Sequence, residues 1–111
     1  MTRIADGFTV EFHPDGPGVT LTVIGELDLL TVGVLTAQLE RAIDGFDGEV
    51  TVNMAGVTFL DSTGLATLLR AHTALDAVGR SLLLSQPQRA TTRLLELSGL
   101  HDTFRLAPES G

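Results

Sequence analysis

The chain has no cysteine, no tryptophan, no tyrosine and no lysine; its seven cationic side chains are all arginine. Without cysteine there is no disulfide and no thiolate chemistry. Without Trp or Tyr, two of the usual stacking side chains for single-stranded nucleic acid are missing. Without lysine a kinase or receiver-type active site lacks its usual cation, and a Gly-x-x-x-x-Gly-Lys phosphate loop is absent. Long apolar runs are missing too, far short of the roughly 20 residues that cross a bilayer, so no membrane insertion is expected. Met1-Thr2-Arg3-Ile4-Ala5-Asp6-Gly7 contains no apolar leader segment. A soluble, cytoplasmic protein is the expectation.

What is present suits one domain. A chain of 111 residues with 43% hydrophobic content supplies a single core and leaves no room for a second. The domain is expected over residues 1–111, with its ordered core at about 8–106. Net charge is −7. Its distribution is uneven: residues 1–61 hold ten Asp/Glu against two Arg, and residues 62–111 hold four against five. An acidic N-terminal half repels nucleic-acid phosphates and anionic lipid, and favours a basic protein partner. Nucleic-acid binding is therefore not expected.

Periodicity orders the elements. Phe8-Thr9-Val10-Glu11-Phe12 and Val19-Thr20-Leu21-Thr22-Val23-Ile24 alternate around the turn-forming run His13-Pro14-Asp15-Gly16-Pro17-Gly18, which predicts a β-hairpin over 8–24. From Leu27 the period becomes helical through Leu30, Thr31, Val34, Leu35, Gln38, Leu39, Ala42 and Ile43, with Asp28 or Thr31 as cap and Gly45 near the end. A strand over 49–54 follows. Leu65, Leu68, Leu69, His72, Leu75 and Val78 mark a second helix stopped by Gly79. Ser81-Leu82-Leu83-Leu84-Ser85 reads as a strand covered on both faces. Pro87 suits the first turn of a third helix with Ala90, Leu94, Leu95 and Leu97 buried and Gly99 at its stop. Phe104–Leu106 is a candidate edge strand, and residues 107–111 read as a tail. The expected class is α/β: an N-terminal hairpin, then alternating helices and mostly parallel strands, four to five strands and three to four helices in all.

Open α/β sheets place ligands beyond the carboxyl ends of their strands. Leu27-Asp28 and Leu60-Asp61 each end a strand and open a helix, so Asp28 and Asp61-Ser62 are expected on one rim. The richest stretch is Val57-Thr58-Phe59-Leu60-Asp61-Ser62-Thr63-Gly64-Leu65, which sets two hydroxyls and a glycine at a helix N-terminus. One reading is capping by Asp61, Ser62 or Thr63, worth about 1 kcal/mol. The other is a phosphorylation site, because free backbone N–H groups there stabilise a doubly negative group. Gly64, lacking a Cβ, is expected to leave room for an incoming backbone or nucleotide.

His13, His72 and His101 have no i, i+4 spacing and no cysteine company, so no metal site is expected. A Ser62–His72–Asp triad fails as well: Gly-x-Ser-x-Gly is absent, and His72 lies along the helix that Ser62 opens. No catalytic residue and no cofactor is expected.

Three motifs resemble those of the STAS domain family, the fold of bacterial anti-sigma factor antagonists. Gly25-Glu26-Leu27-Asp28 is similar to its Gly-Glu-[Leu/Ile]-Asp strand end, the stretch 57–65 to its Asp-Ser-[Ser/Thr]-Gly phosphorylation loop, and Leu94-Leu95-Glu96-Leu97-Ser98-Gly99-Leu100 to its late helix and turn. The resemblance runs from about Thr9 to Leu106. The chain departs from the family after Asp28, where many members place a small residue and a proline and this chain continues Leu29-Leu30-Thr31-Val32-Gly33-Val34.

The resemblance implies a non-enzymatic binding module with Ser62 as phosphate acceptor (Thr63 the alternative) and Glu26, Asp28, Asp61, Ser62, Thr63 and Gly64 as the partner-binding rim. It implies as partner an anti-sigma factor with a histidine-kinase-like ATPase fold that is also the serine kinase, captured by the unphosphorylated form so that a sigma factor is freed. A serine phosphatase would reset the switch. The alternatives are a STAS subunit on the ATPase of a lipid-transport ABC system, without a phosphorylation switch, and a subunit of a large stress-signalling assembly. A monomer or weak dimer is expected, the hairpin edge being open to pairing.

Overall fold

Strict alternation of apolar and polar residues builds half of this sheet, and parallel pairing builds the rest. The computed structural model describes residues 2–5 and 7–107, with side chains from residue 7 onward. In order these form β1 (Thr2–Ala5), β2 (Phe8–Asp15), β3 (Gly18–Leu27), α1 (Val32–Gly45), β4 (Val50–Leu60), α2 (Ser62–Asp76), β5 (Leu82–Ser85), α3 (Arg89–Leu97) and β6 (Arg105–Ala107). The strands lie in one sheet in that same order. β1–β2 and β2–β3 pair antiparallel; β3–β4, β4–β5 and β5–β6 pair parallel. This is the α/β architecture expected, with three helices and, among the described residues, one strand more than expected. The addition is β1, whose four residues are too short to show a period.

One face of the sheet holds the core. Phe8, Val10, Phe12, Val19, Leu21, Val23, Val50, Val52, Met54, Leu82 and Leu84 are buried on it, in one cluster with Leu35, Leu39 and Ala42 of α1, Leu65, Leu68 and Leu75 of α2, and Leu95 of α3. The residues between them (Thr20, Thr22, Thr51, Asn53, Leu83) are half-buried on the other face. The expectation that β5 is covered on both sides is thus corrected: Leu82 and Leu84 are buried and Leu83 is not.

Several helix boundaries differ from expectation for local reasons. α1 begins at Val32 rather than near Leu27, because Leu27 completes β3 in the core and the Asp28 carboxylate ties down the next turn. α2 ends at Asp76, and Gly79 at φ +73° lets the Arg80 N–H donate back to Leu75 O (2.9 Å), so Val78 is exposed rather than on the buried side. α3 starts after Pro87, with Gln88 at its N-cap; its buried residues are Thr91 and Leu95, while Ala90 and Leu97 face outward. β4 runs to Leu60, well past Met54, because it absorbs two register shifts against β3, between Thr22 and Ile24 and between Gly25 and Glu26. Ala107 belongs to β6; the remainder of the expected tail, 108–111, lies outside the described residues.

Arg80 closes the end opposite the rim. Its guanidinium donates to Gly48 O (3.0 Å), Ile43 O (2.8 Å) and Ala42 O (3.4 Å). A cation there satisfies the terminal carbonyls of α1 and the negative end of its dipole. Arg80→Ala is expected to lower unfolding free energy by about 1–3 kcal/mol, with Arg80→Lys recovering only part because it cannot span three carbonyls. Urea unfolding of the three proteins measures this.

Candidate functional site

Two neighbouring strand ends define the rim. The parallel register brings Leu27 opposite Leu60 and Glu26 opposite Phe59, and the Asp61 N–H donates to Leu27 O at 3.3 Å. Asp28 and Asp61-Ser62 therefore leave the sheet side by side, as the repeated Leu-Asp pattern leads one to expect. Each strand end then opens a helix, and each aspartate organises the turn that follows it.

Asp61 is the N-cap of α2. Its Oδ1 accepts the Gly64 N–H at 3.0 Å, and its carbonyl accepts the Leu65 N–H at 3.0 Å. That leaves Ser62 and Thr63 in the first turn with backbone amides that have no intrahelical acceptor. Capping is thus done by Asp61 and not by either hydroxyl. Ser62 is exposed, and its hydroxyl makes no hydrogen bond among the described residues. Thr63 is half-buried, and its carbonyl receives the Thr67 hydroxyl at 3.2 Å.

Gly64 is buried, and its missing Cβ serves internal packing. A Cβ built there would stand 2.6 Å from Leu60 Cδ1 and 2.8 Å from Leu27 Cγ. The glycine lets α2 start against the last core residues of β3 and β4. The opening for an incoming group expected of Gly64 is therefore corrected: the space is filled from inside.

Asp28 is held by a denser network. Its Oδ1 accepts the Leu30 N–H (3.0 Å) and the Thr31 N–H (3.2 Å), and stands 3.2 Å from the Thr31 hydroxyl oxygen. The Thr31 hydroxyl also lies 2.7 Å from Glu26 O, to which it donates, and accepts the Asp28 N–H at 3.0 Å. Thr31 is 4% exposed, so the clamp is sheltered from water. Its role was legible only as one of two possible caps; the loop it braces was not. Glu26 is exposed beside this turn. Neither Glu26, Asp28 nor Asp61 has an ion pair among the described residues.

The rim is bordered by apolar side chains that the sequence reading placed elsewhere or passed over. Leu29 is 74% exposed, Leu30 76% and Phe59 48%. A shallow groove of about 320 Å³ runs between the end of β4 (Val57–Leu60) and α3, with Leu94, Leu97 and Arg93 on its far wall. The histidines lie apart from all of this. His13 is 3.5 Å from Glu11, His101 3.5 Å from Asp102, and His72 meets the Phe104 ring at 5.6 Å. Among the described residues no group of three or more His, Cys, Asp or Glu is placed to hold a metal. No described helix is long and apolar enough to cross a membrane.

A STAS domain family model matches residues 8–111. The anti-sigma F factor antagonist of Lysinibacillus sphaericus is 33% identical over 85 residues, covering 74% of this chain and 71% of that one. The anti-sigma-F factor antagonist RsfB of Mycobacterium tuberculosis is 30% identical over 103 residues, covering 91% and 82%. Among solved structures, the Bacillus cell fate determinant SpoIIAA in its phosphorylated form superposes with a TM-score of 0.69 at 28% identity, covering 92% of each chain.

The packing at Gly64 yields a prediction. Gly64→Ala is expected to cost about 1–3 kcal/mol, because Leu27 and Leu60 must move from their core positions. Asp61→Ala should cost about 1 kcal/mol through loss of the cap, and Asp61→Asn a few tenths. Thermal and denaturant melts of the three variants check both.

Proposed function

The chain belongs to the STAS domain family, and we propose that it is an anti-sigma factor antagonist switched by phosphorylation of Ser62. In the unphosphorylated state it captures an anti-sigma factor of histidine-kinase-like ATPase fold, and a sigma factor is released. The same partner phosphorylates Ser62, and a serine phosphatase restores the binding form. The protein works as a binding module and needs no cofactor of its own.

One observation carries the choice of residue. Ser62 is the exposed first residue of α2, and the capping duty that would tie up its hydroxyl is already met by Asp61. Thr63, half-buried one step further into the helix, is the poorer acceptor. Relatives named as anti-sigma factor antagonists support the binding role, and a solved relative in a phosphorylated form supports a phosphorylated state for such a protein.

The electrostatics follow. Phosphate adds about −1.5 to −2 charge at neutral pH. The fold tolerates it, since the free Ser62 and Thr63 amides and the helix dipole face it. The interface does not, because a dianion brought into a desolvated contact beside Glu26, Asp28 and Asp61 has lost its water and meets like charge. Binding is lost while the protein stays folded.

Ser62→Asp is expected to weaken capture of the anti-sigma factor about tenfold or more with its unfolding midpoint unchanged. Ser62→Ala should bind normally and take up no phosphate. Parallel affinity capture from cytosol with the unaltered chain and both variants as baits, read by mass spectrometry, tests this. Normal binding by Ser62→Asp sinks the charge switch. A phosphate persisting on Ser62→Ala moves the acceptor to Thr63. An ABC-type ATPase held equally by every bait replaces this reading with the transporter one.

A further inference from the structure

We infer that Leu29 and Leu30 form a fixed apolar prong that selects the partner, inserting into an apolar recess framed by basic side chains on a protein unlike this one. The inference rests on the proposed capture of an anti-sigma factor and names the contact that gives it specificity.

Leu29 and Leu30 are among the most exposed large apolar residues of the described chain, at 74% and 76%. They stand together on the turn between β3 and α1, and neither takes part in the core cluster. Leaving two leucines in water gains nothing for the fold, since burying either would stabilise it. The turn that displays them is not loose. Asp28 Oδ1 holds the amides of Leu30 and Thr31, and the buried Thr31 hydroxyl pins the turn to Glu26 O at 2.7 Å. A prong held this firmly loses little conformational entropy on docking.

Position ties the prong to the switch. Leu27 O accepts the Asp61 N–H, so the turn that follows Leu27 and the helix start that follows Asp61 share one edge. Phe59, half-exposed opposite Glu26, extends the apolar surface along the same rim.

Charge decides what covers it. Glu26, Asp28 and Asp61 lie on the same rim as the prong, without ion pairs among the described residues. A second copy docked here would set these acids against their own kind, and an anionic lipid surface would be repelled in the same way. A basic frame around an apolar recess satisfies both the acids and the leucines.

The test uses the full chain against each purified anti-sigma factor of the source organism that has the histidine-kinase-like fold, with affinity and association rate measured. Leu29→Ser/Leu30→Ser is expected to bind its factor about tenfold or more weakly. Leu29→Met/Leu30→Met should bind nearly as the unaltered chain does, and all should melt together because neither residue is buried. Association of the unaltered chain should slow as salt is raised. Equal affinity for the serine variant overturns the prong while leaving Ser62→Asp to judge the switch separately. Salt-independent association overturns the basic frame. Self-association of the unaltered chain that the serine variant abolishes makes the occupant a second copy and overturns the inference. If no such factor binds the unaltered chain, the inference and the proposed function fall together.

Discussion

The parallel pairing of β3 with β4, carried through two register shifts to its last pair at Leu27 and Leu60, is the constraint on which the rest depends. It brings two separate Leu-Asp sequences to one edge of the sheet and lets the Asp61 N–H close onto Leu27 O. The two leucines then form the floor against which the first turn of α2 rests, and only a glycine at position 64 allows that approach. Had β4 ended at Met54, as its alternating part alone suggests, Ser62 would stand on a loop with no fixed relation to Asp28. The bulged extension from Ala55 to Leu60 converts two sequence motifs into one surface.

The two aspartates divide the work of structure, and Ser62 is left free of it. Asp61 supplies the cap of α2 and Asp28 the turn before α1, each through a carboxylate oxygen that accepts backbone N–H groups. A modification of Ser62 therefore removes no internal hydrogen bond. The amides beside it face a phosphate favourably, whereas the acidic rim and any partner seated on it do not. In the proposed switch, this asymmetry is what would let a phosphate on Ser62 alter binding without altering the fold.

Much of this was legible in the residues. The alternation of 8–12 and 19–24 announced the hairpin, and the shift to helical spacing after Leu27 and Leu65 announced two of the helices, because period alone reports which side of an element is buried. The shared rim was legible from the repeated Leu-Asp pattern together with the rule for strand ends. What remained hidden depended on tertiary partners. In Ala55–Leu60 only the Leu-Asp end marks a strand; over the rest, the bulges against β3 break the period. Leu30 fits the helical pattern, yet the Asp28 carboxylate captures its amide first and leaves its side chain in water. Ala90 and Leu97 have helical spacing too, but the side of α3 that meets the core is set by Thr91 and Leu95. Gly64 could be read as an opening only while its inward neighbours were unseen.

The most direct measurement is made on the chain carrying phosphoserine at position 62, introduced co-translationally so that no kinase is needed. Its unfolding transition and its affinity for the cognate anti-sigma factor are compared with those of the unmodified chain. The account predicts the same unfolding midpoint and an affinity lower by about tenfold or more. Equal affinity would contradict it, and so would a loss of binding that tracked a loss of folding.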